Sequence, residues 1–419
     1  MSFYEFNEED KVNKKSQIRQ LVDILAVDIA GKDATATTTD TRKKYEVFVT
    51  ASENGTNPVT SSLFQTVFDQ DFKLQTSNEM LDLTIGTYAK YNPATTTPAA
   101  DANYTINFAK QGDNNDVVIT PITVDVDSSN KPLFNSDTLM MREKINIYKQ
   151  YAQILLGDAT SYFTAPYDDD VSNDDDDRIN HALFINIKRL FTRDTLDVGK
   201  FSMKIGKEAV ASATSLSDGV STTLELISDA NASSSLTVTP FGASVGTITN
   251  STGTSVGIVF YEQGIIVLNA EKVFKTDQTL QGEISSVSGA NSVKTFDNKF
   301  FPYFWVSGSI DNVLDHIAST RFGRANTSAM GLINKTTINS TIYFCRVSPN
   351  DANFSTNPTF TDGSGSLRCI QDKGDDPFSY VTTIGLYDMI GNMLAVAKTS
   401  RPIEKNPEVD LSVSVRIDY

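Results

Sequence analysis

Cysteine, histidine and tryptophan are nearly missing from this chain, and each shortage removes a class of chemistry. Two cysteines in 419 residues, Cys345 and Cys369, exclude a disulfide scaffold, and two reduced thiols are expected, with a single bridge between them as the alternative. The histidines are His181 and His316 alone; neither belongs to an HExxH spacing, and no CxxC pair or Walker loop occurs. No G-x-S-x-G elbow frames a serine, so a Ser/His/Asp or Cys/His device has no local context. The glycines of SVSGA and TDGSGS lack the strand-to-helix setting that cradles phosphate. No run reaches the roughly 20 apolar residues of a bilayer span, and MSFYEFNEEDKVNKK lacks the apolar core of a secretory signal. The chain is therefore expected to be made and assembled in the cytoplasm. Positive charge is short as well: 36 Lys and Arg against 52 Asp and Glu leave a net charge of -16. That balance argues against packaging or coating nucleic acid, which needs clustered cations to release counterions.

What remains is the material of a folded body. A hydrophobic content of 39% with 10% aromatics supplies proper cores, and 419 residues exceed the usual size of one core, so two or three domains are expected. The last stretch is the clearest. Leu411, Val413, Val415, Ile417 and Tyr419 alternate with Ser412, Ser414, Arg416 and Asp418, the period of a half-buried strand. Its pairing partner is expected within the same chain, with pairing across a subunit boundary as the alternative. Val381–Leu386 and Met393–Val396 flank an Asp388–Asn392 turn containing Gly391 and read as a hairpin, with Pro402 and Pro407 punctuating the passage onward. Further strands are expected over Lys44–Thr50, Leu81–Ile85, the hairpin GIVFYEQGIIVL turning near Gln263 and Gly264, the segment FFPYFWVSGSI with the only Trp, and TIYFCRV.

Three- and four-residue spacing predicts helices. Ile18, Leu21, Val22, Leu25 and Ile29 define one over Ser16–Ala30, with Gly31 and Lys32 closing it. Met141, Ile145, Tyr148, Ala152 and Leu155 define the strongest, capped by Ser136 or Asp137 and ended by Gly157. Ile179, Leu183, Ile187, Leu190 and Phe191 define a third over Ile179–Phe191. Asn92–Ala102 reads as a low-complexity connector. Beyond Gly206 the composition turns to Ser, Thr, Ala and Gly, so residues 207–255 read as an inserted small β domain between an N-terminal α+β region, 1–206, and a C-terminal β domain, 256–419. The fold class expected is α+β: a mostly β, sandwich-like body with several helices and that insert.

Several segments carry a family resemblance. TTIGLYDMIGNMLAVAKTSRPIEKNPEVDLSVSVRIDY resembles the C-terminal ends of virion structural proteins of contractile-tailed bacteriophages. SSLFQTVFDQDFKLQT, LMMREKINIYKQYAQILLGD, HALFINIKRLFTRD with FSMKIG, and VGIVFYEQGIIVL fit the same group in this order. The resemblance implies a non-enzymatic tail subunit, first of all a baseplate-wedge component in the virion that joins other tail and baseplate proteins and is present in several copies. It implies no catalytic residue, no metal, no cofactor, no nucleic acid and no membrane insertion. A neck or collar position, or fibre attachment, fits it as well.

Four features compete with that reading. Asp168–Asp170 and Asp174–Asp177 form the densest charge; a solvated loop is favoured over a contact with a basic partner or a hard-cation site, since the EF-hand order is absent. Asp177 also precedes the expected third helix, whose N-terminus would favour it. RFGRANTSAMG pairs two arginines in a solvated loop or against an acidic neighbour. The PYFW aromatics around Trp305 would serve a receptor- or carbohydrate-binding module if exposed and a core if buried. A wall hydrolase would need two carboxylates brought together across a cleft.

Overall fold

The computed structural model describes residues 5–30, 42–49, 59–71, 76–88, 90–91, 104–107, 118–121, 136–165, 178–207, 224–234, 236–274, 305, 309–322, 327–355, 357–366, 370–371 and 377–419. The Asn92–Ala102 stretch, the Asp168–Asp177 run, Arg324, Cys369 and, Trp305 apart, the aromatic segment 300–308 lie outside them. In chain order the first elements are β1 (Lys11–Leu25), α1 (Ala26–Ala30), β2 (Arg42–Val49), β3 (Val59–Asp71), β4 (Thr76–Thr87), β5 (Lys90–Tyr91), β6 (Tyr104–Asn107), β7 (Val118–Pro121) and α2 (Ser136–Leu156). There follow β8 (His181–Ile187), α3 (Arg189–Thr192), β9 (Thr195–Leu196), β10 (Ser202–Gly206), β11 (Leu224–Ser228), β12 (Thr237–Val238), β13 (Ser244–Thr249), β14 (Ser255–Phe260), β15 (Ile265–Asn269) and α4 (Ala270–Val273). The chain closes with α5 (Ile310–Thr320), β16 (Ser328–Val347), β17 (Ile370–Gln371), β18 (Pro377–Tyr387), β19 (Met393–Lys405) and β20 (Leu411–Asp418). It is mostly β with few helices.

Two compact units divide it: Arg19–Thr336, and Met1–Ile18 together with Thr337–Tyr419. In the larger unit one sheet runs β16-β10-β11-β13-β14-β15-β8-β4-β3-β2, with β12 on β13 and β9 on β16. Every pairing with a described register in this sheet is antiparallel. Residues 207–255, expected as an insert, supply β11, β12 and β13, which are hydrogen-bonded into this sheet between β10 and β14. A separate three-stranded sheet has the order β5-β7-β6.

The middle of the large sheet is covered on both faces. α2 lies over the face of Asp82, Thr84 and Gly86: Tyr151 stacks on Phe184 with ring centroids 4.2 Å apart, and Tyr148 sits edge-on to Phe184 and Phe163. At Gly86 a Cβ would meet Tyr148 Cβ at 3.0 Å, so the helix crosses the strand where no side chain intervenes. α5 covers the opposite face, where the Gln65 amide donates to Asp311 Oδ1 at 2.7 Å and Asp315 Oδ1 at 3.0 Å. β14, β15 and nearly all of β8 are buried at every position, whichever face a side chain takes.

This two-sided cover explains one departure from expectation. His181–Ile187 is a strand, not the body of a helix over Ile179–Phe191; only the turn α3 is helical there. A strand dry on both faces loses its period of two, and the apolar residues of HALFINI then match helical spacing by accident. The helix expected over Ser16–Ala30 is corrected for a different reason. Lys11–Leu25 is a strand and only Ala26–Ala30 is helical. β1 finds its backbone partners on β16, and its buried residues Val22 and Ile24 alternate, while Ile18 and Leu21, which completed the helical stripe, are exposed. The α2 expectation is met: Ile145, Tyr148, Ala152 and Leu155 are buried, and Gly157 ends the helix with φ +85°.

In the smaller unit β20 pairs antiparallel with β16 of its own chain, from Ser340↔Asp418 to Val347↔Leu411. β17, β18 and β19 form a three-stranded sheet. The β18–β19 ladder shifts register between Val381 and Thr383, opposite the segment that contains Pro402, where a residue without an N–H is tolerated.

The β14–β15 packing supplies a direct check on the sheet. At Gly257 a Cβ would lie 2.5 Å from the Val267 carbonyl oxygen and 2.8 Å from Leu268 Cδ2, and the first of these is backbone. Gly257→Ala is expected to cost about 1–3 kcal/mol, read as a lower urea midpoint at unchanged slope. Gly363→Ala, with nothing within 4 Å, is the neutral control.

Candidate functional site

The β18–β19 hairpin is the most unusual surface in the described structure. Its base is locked: the buried Lys405 ammonium donates to the Pro349 carbonyl at 2.9 Å, Asn353 Oδ1 at 2.9 Å and the Asn406 carbonyl at 2.8 Å, so all three of its protons are used. The Ser379 hydroxyl donates to the Ala352 carbonyl beside it. Beyond the base, most positions on both strands are half-buried or exposed, Leu386 being the buried exception.

The tip is built by polar groups and dressed with apolar ones. Asp388 Oδ1 accepts the N–H groups of Ile390 at 2.9 Å and Asn392 at 2.7 Å, and its Oδ2 accepts the Asn392 amide at 2.9 Å. These bonds, the side-chain one from Asn392 foremost, hold the Asp388 carboxyl below the usual carboxylate range. Gly391, at φ +91°, closes the turn where a side chain would be strained. The two positions left over, Met389 and Ile390, are 101% and 87% exposed. Tyr387, Met393, Leu394 and Val396 add exposed apolar surface next to them, and no charge stands between Met389 and Ala397. These side chains concentrate exposed apolar surface at the end of the hairpin.

The residues weighed for catalysis lie elsewhere, in the interior of the larger unit. His181 is on β8, not on a helix, and is buried. Trp305, also buried, donates its indole N–H to Thr87 Oγ1 at 3.3 Å; Thr87 in turn faces His181 Nδ1 at 3.2 Å. The Thr87 hydroxyl thus bridges the indole and the imidazole, whose Nε2 lies 3.5 Å from Glu271 Oε1. Lys144 of α2 completes the group by donating to the Trp305 carbonyl at 2.6 Å. Burial, and then the Lys144 charge, push the His181 imidazole down to about 3. Burial likewise pushes Lys144 down to about 7, against the opposing pull of Glu143. His316 on α5 is buried beside Arg321, whose Nη2 lies 3.2 Å from Nε2, and burial followed by that charge keeps it well below the ordinary imidazole value. The Asp311 and Asp315 carboxylates near it in sequence are engaged by Gln65.

Arg321 corrects the expectation of a solvated loop in RFGRANTSAMG. It caps α5, is fully buried, donates to the Lys207 carbonyl at 2.5 Å and lies 5.3 Å over the Phe274 ring. Cys345 is a half-buried free thiol on β16. Among the described residues no group of three His, Cys, Asp or Glu is placed to hold a metal ion, and no helix is long and apolar enough to cross a membrane.

The interior group makes stability depend on pH with a defined sign. Between pH 6.5 and about 3 the unfolded chain takes up a proton that folded His181 refuses, so stability falls as pH falls through that window. Between about 7 and 10.5 the unfolded chain still holds the Lys144 proton that the folded chain has released, so stability rises with pH there. Urea midpoints measured across both windows are expected to climb, and Lys144→Met is expected to flatten the alkaline rise. A midpoint in the unmodified chain that does not move between about 7 and 10.5 contradicts the assignment.

Sequence reasoning found the hairpin but not its exposed tip, since Met389 and Ile390 look like core residues on paper. It missed the Lys144 group, for which one signal existed: Lys144 follows Met141 by three residues and precedes Tyr148 by four, so it lies on the apolar stripe of α2. Comparison with protein-family models, curated proteins and solved structures finds no match to this chain.

Proposed function

We propose that the chain is a non-enzymatic structural subunit of a contractile phage tail, positioned in the baseplate wedge and working through contacts with neighbouring tail proteins. The observation that carries this is the β18–β19 hairpin, whose base is pinned by Lys405 and whose tip holds Met389 and Ile390 in water. It is also the core of the segment that resembles the ends of phage tail proteins. An element this rigid loses little conformational freedom on docking, which suits a permanent joint. The burial of His181 and His316 and the engagement of Asp311 and Asp315 support a non-enzymatic reading. The finer architecture belongs to the same proposal: a sandwich-like body in which residues 207–255 act as an inserted contact domain.

Localisation of a tagged copy in intact particles tests it. The reading expects density at the baseplate and retention of the chain in tails separated from heads. Density at the neck, or co-fractionation with fibres, moves the subunit to the alternative positions, and absence from the particle removes the proposal.

A further inference from the structure

The first half of β1, in the smaller unit, is a strand with an open edge. β1 stands at the end of its sheet against β16, whose other edge in that unit is taken by β20. Among the described strands, none fills the outer edge of β1. From Lys11 to Ile18 every residue but the half-buried Ser16 is exposed, so both faces of this stretch meet water. Its charge runs against that of the chain. Lys11, Lys14 and Lys15 stand there in a protein of 52 Asp and Glu against 36 Lys and Arg, and among the described residues no carboxylate pairs with any of the three. By the alternation of a strand Val12, Lys14, Ser16 and Ile18 share one face, on which Val12 and Ile18 are 44% and 56% exposed. The register is steadied by Asn13, whose Oδ1 accepts the Thr341 hydroxyl of β16 at 2.9 Å.

We infer that Lys11–Ile18 is a docking edge for an acidic strand of a partner protein, which extends the sheet with its carboxylates against Lys14 and Lys15 and its apolar side chains against Val12 and Ile18. Charge and backbone select that occupant together. An open edge offers N–H and C=O groups that an added strand completes, while alternate side chains supply the specificity. Lysines on the edge repel a neutral or basic strand less suited to them, and a second copy of β1 is excluded because it would set lysine against lysine. A nucleic acid would answer the lysines but leave the ladder groups and both apolar side chains without partners. Exposed Glu8 and Glu9 just before the strand, and Asp10 held by Arg346 at 3.6 Å, place negative charge at its start. The partner's acids therefore belong opposite Lys14 and Lys15, and the end of its strand that meets Glu8 is neutral or basic. This contact is independent of the β18–β19 tip and of opposite chemistry, charged where the tip is apolar.

Fluorescence anisotropy of labelled probes with the full chain tests this. The probe is a synthetic peptide that alternates valine with aspartate. One control replaces aspartate by lysine, a second carries methyl groups on its backbone nitrogens, and a third is a single-stranded thymidine oligonucleotide of equal charge. The valine–aspartate peptide is expected to bind saturably, to weaken as salt is added, and to protect the Lys11–Ile18 amides from hydrogen exchange. The three controls are expected not to bind. Lys14→Glu with Lys15→Glu, at two exposed positions, should melt like the unmodified chain, lose the probe and take up the lysine control instead. Should that variant not fold, Lys14→Gln with Lys15→Gln is expected to lose the probe as well. No binding of the probe, or binding that survives backbone methylation or the loss of both lysines, overturns the inference. Equal uptake of the oligonucleotide overturns it too, since the edge is then a basic patch and not a strand acceptor.

Discussion

Deleting Leu411–Tyr419 is expected to leave a chain that is poorly soluble and does not assemble. β20 contributes the buried Val415 and the half-buried Leu411, Val413 and Ile417, and pairs over eight positions with β16. Burial of one large aliphatic side chain contributes roughly 1.5–3 kcal/mol, so the apolar loss alone is on the order of 5 kcal/mol. Polar ties go with it. Asp418 accepts from the Ser340 hydroxyl at 2.7 Å, the Arg416 guanidinium donates to Ser340 Oγ at 3.0 Å, and Asn339 and Tyr419 exchange backbone bonds at 3.1 and 2.8 Å. Removal also bares the Ser340–Val347 edge, an exposed template for unwanted pairing. Against a total stability of about 5–15 kcal/mol the smaller unit does not survive such a loss. Equal melting behaviour of the truncated and full chains, with equal recovery in the soluble fraction, would sink this expectation.

The second large effect is expected at Trp305. Its side chain is completely buried, its N–H is held by Thr87, and its ring meets His181 edge-on with centroids 6.1 Å apart. Trp305→Ala leaves a cavity costing about 3–5 kcal/mol and strips Thr87 of a donor, for about 1 kcal/mol more. In a unit of this size that lowers the melting midpoint by on the order of 10 °C. Trp305→Phe keeps most of the volume and should recover much of the loss. The pair of variants also separates the core role from sugar stacking. An exposed stacking tryptophan can be removed with little change in stability and a complete loss of glycan binding, the opposite of what burial predicts.

Much of the fold was legible where local chemistry is self-sufficient. The β14–β15 and β18–β19 hairpins announce themselves through Gly264 and Gly391, both at positive φ, and β20 through strict alternation. α2 is legible because a broad apolar stripe and a terminal glycine agree with each other. β1 and β8 were not, because their state is decided by distant partners: β16 supplies the ladder for β1, and cover on both faces erases the alternation of β8. The interior polar group was invisible for the same reason, since Thr87, Lys144, His181 and Trp305 are far apart in sequence and only the sheet brings them together. The hairpin tip is the opposite case. Its position was plain from Asp388–Asn392, but whether Met389 and Ile390 face a core or water depends on what surrounds the turn, and that is not written in the turn.

Co-expression with candidate wedge, neck and fibre proteins, followed by sizing, tests the central claim most directly. The native chain should elute in a stable, stoichiometric complex that survives dilution, as interfaces of roughly 2,000 Å² or more do. The Met389→Asp, Ile390→Asp variant should melt unchanged and elute without partners. A native chain that remains alone with every tail protein, and that cleaves cell wall or glycan until one carboxylate is substituted, would contradict the account and make the protein an enzyme.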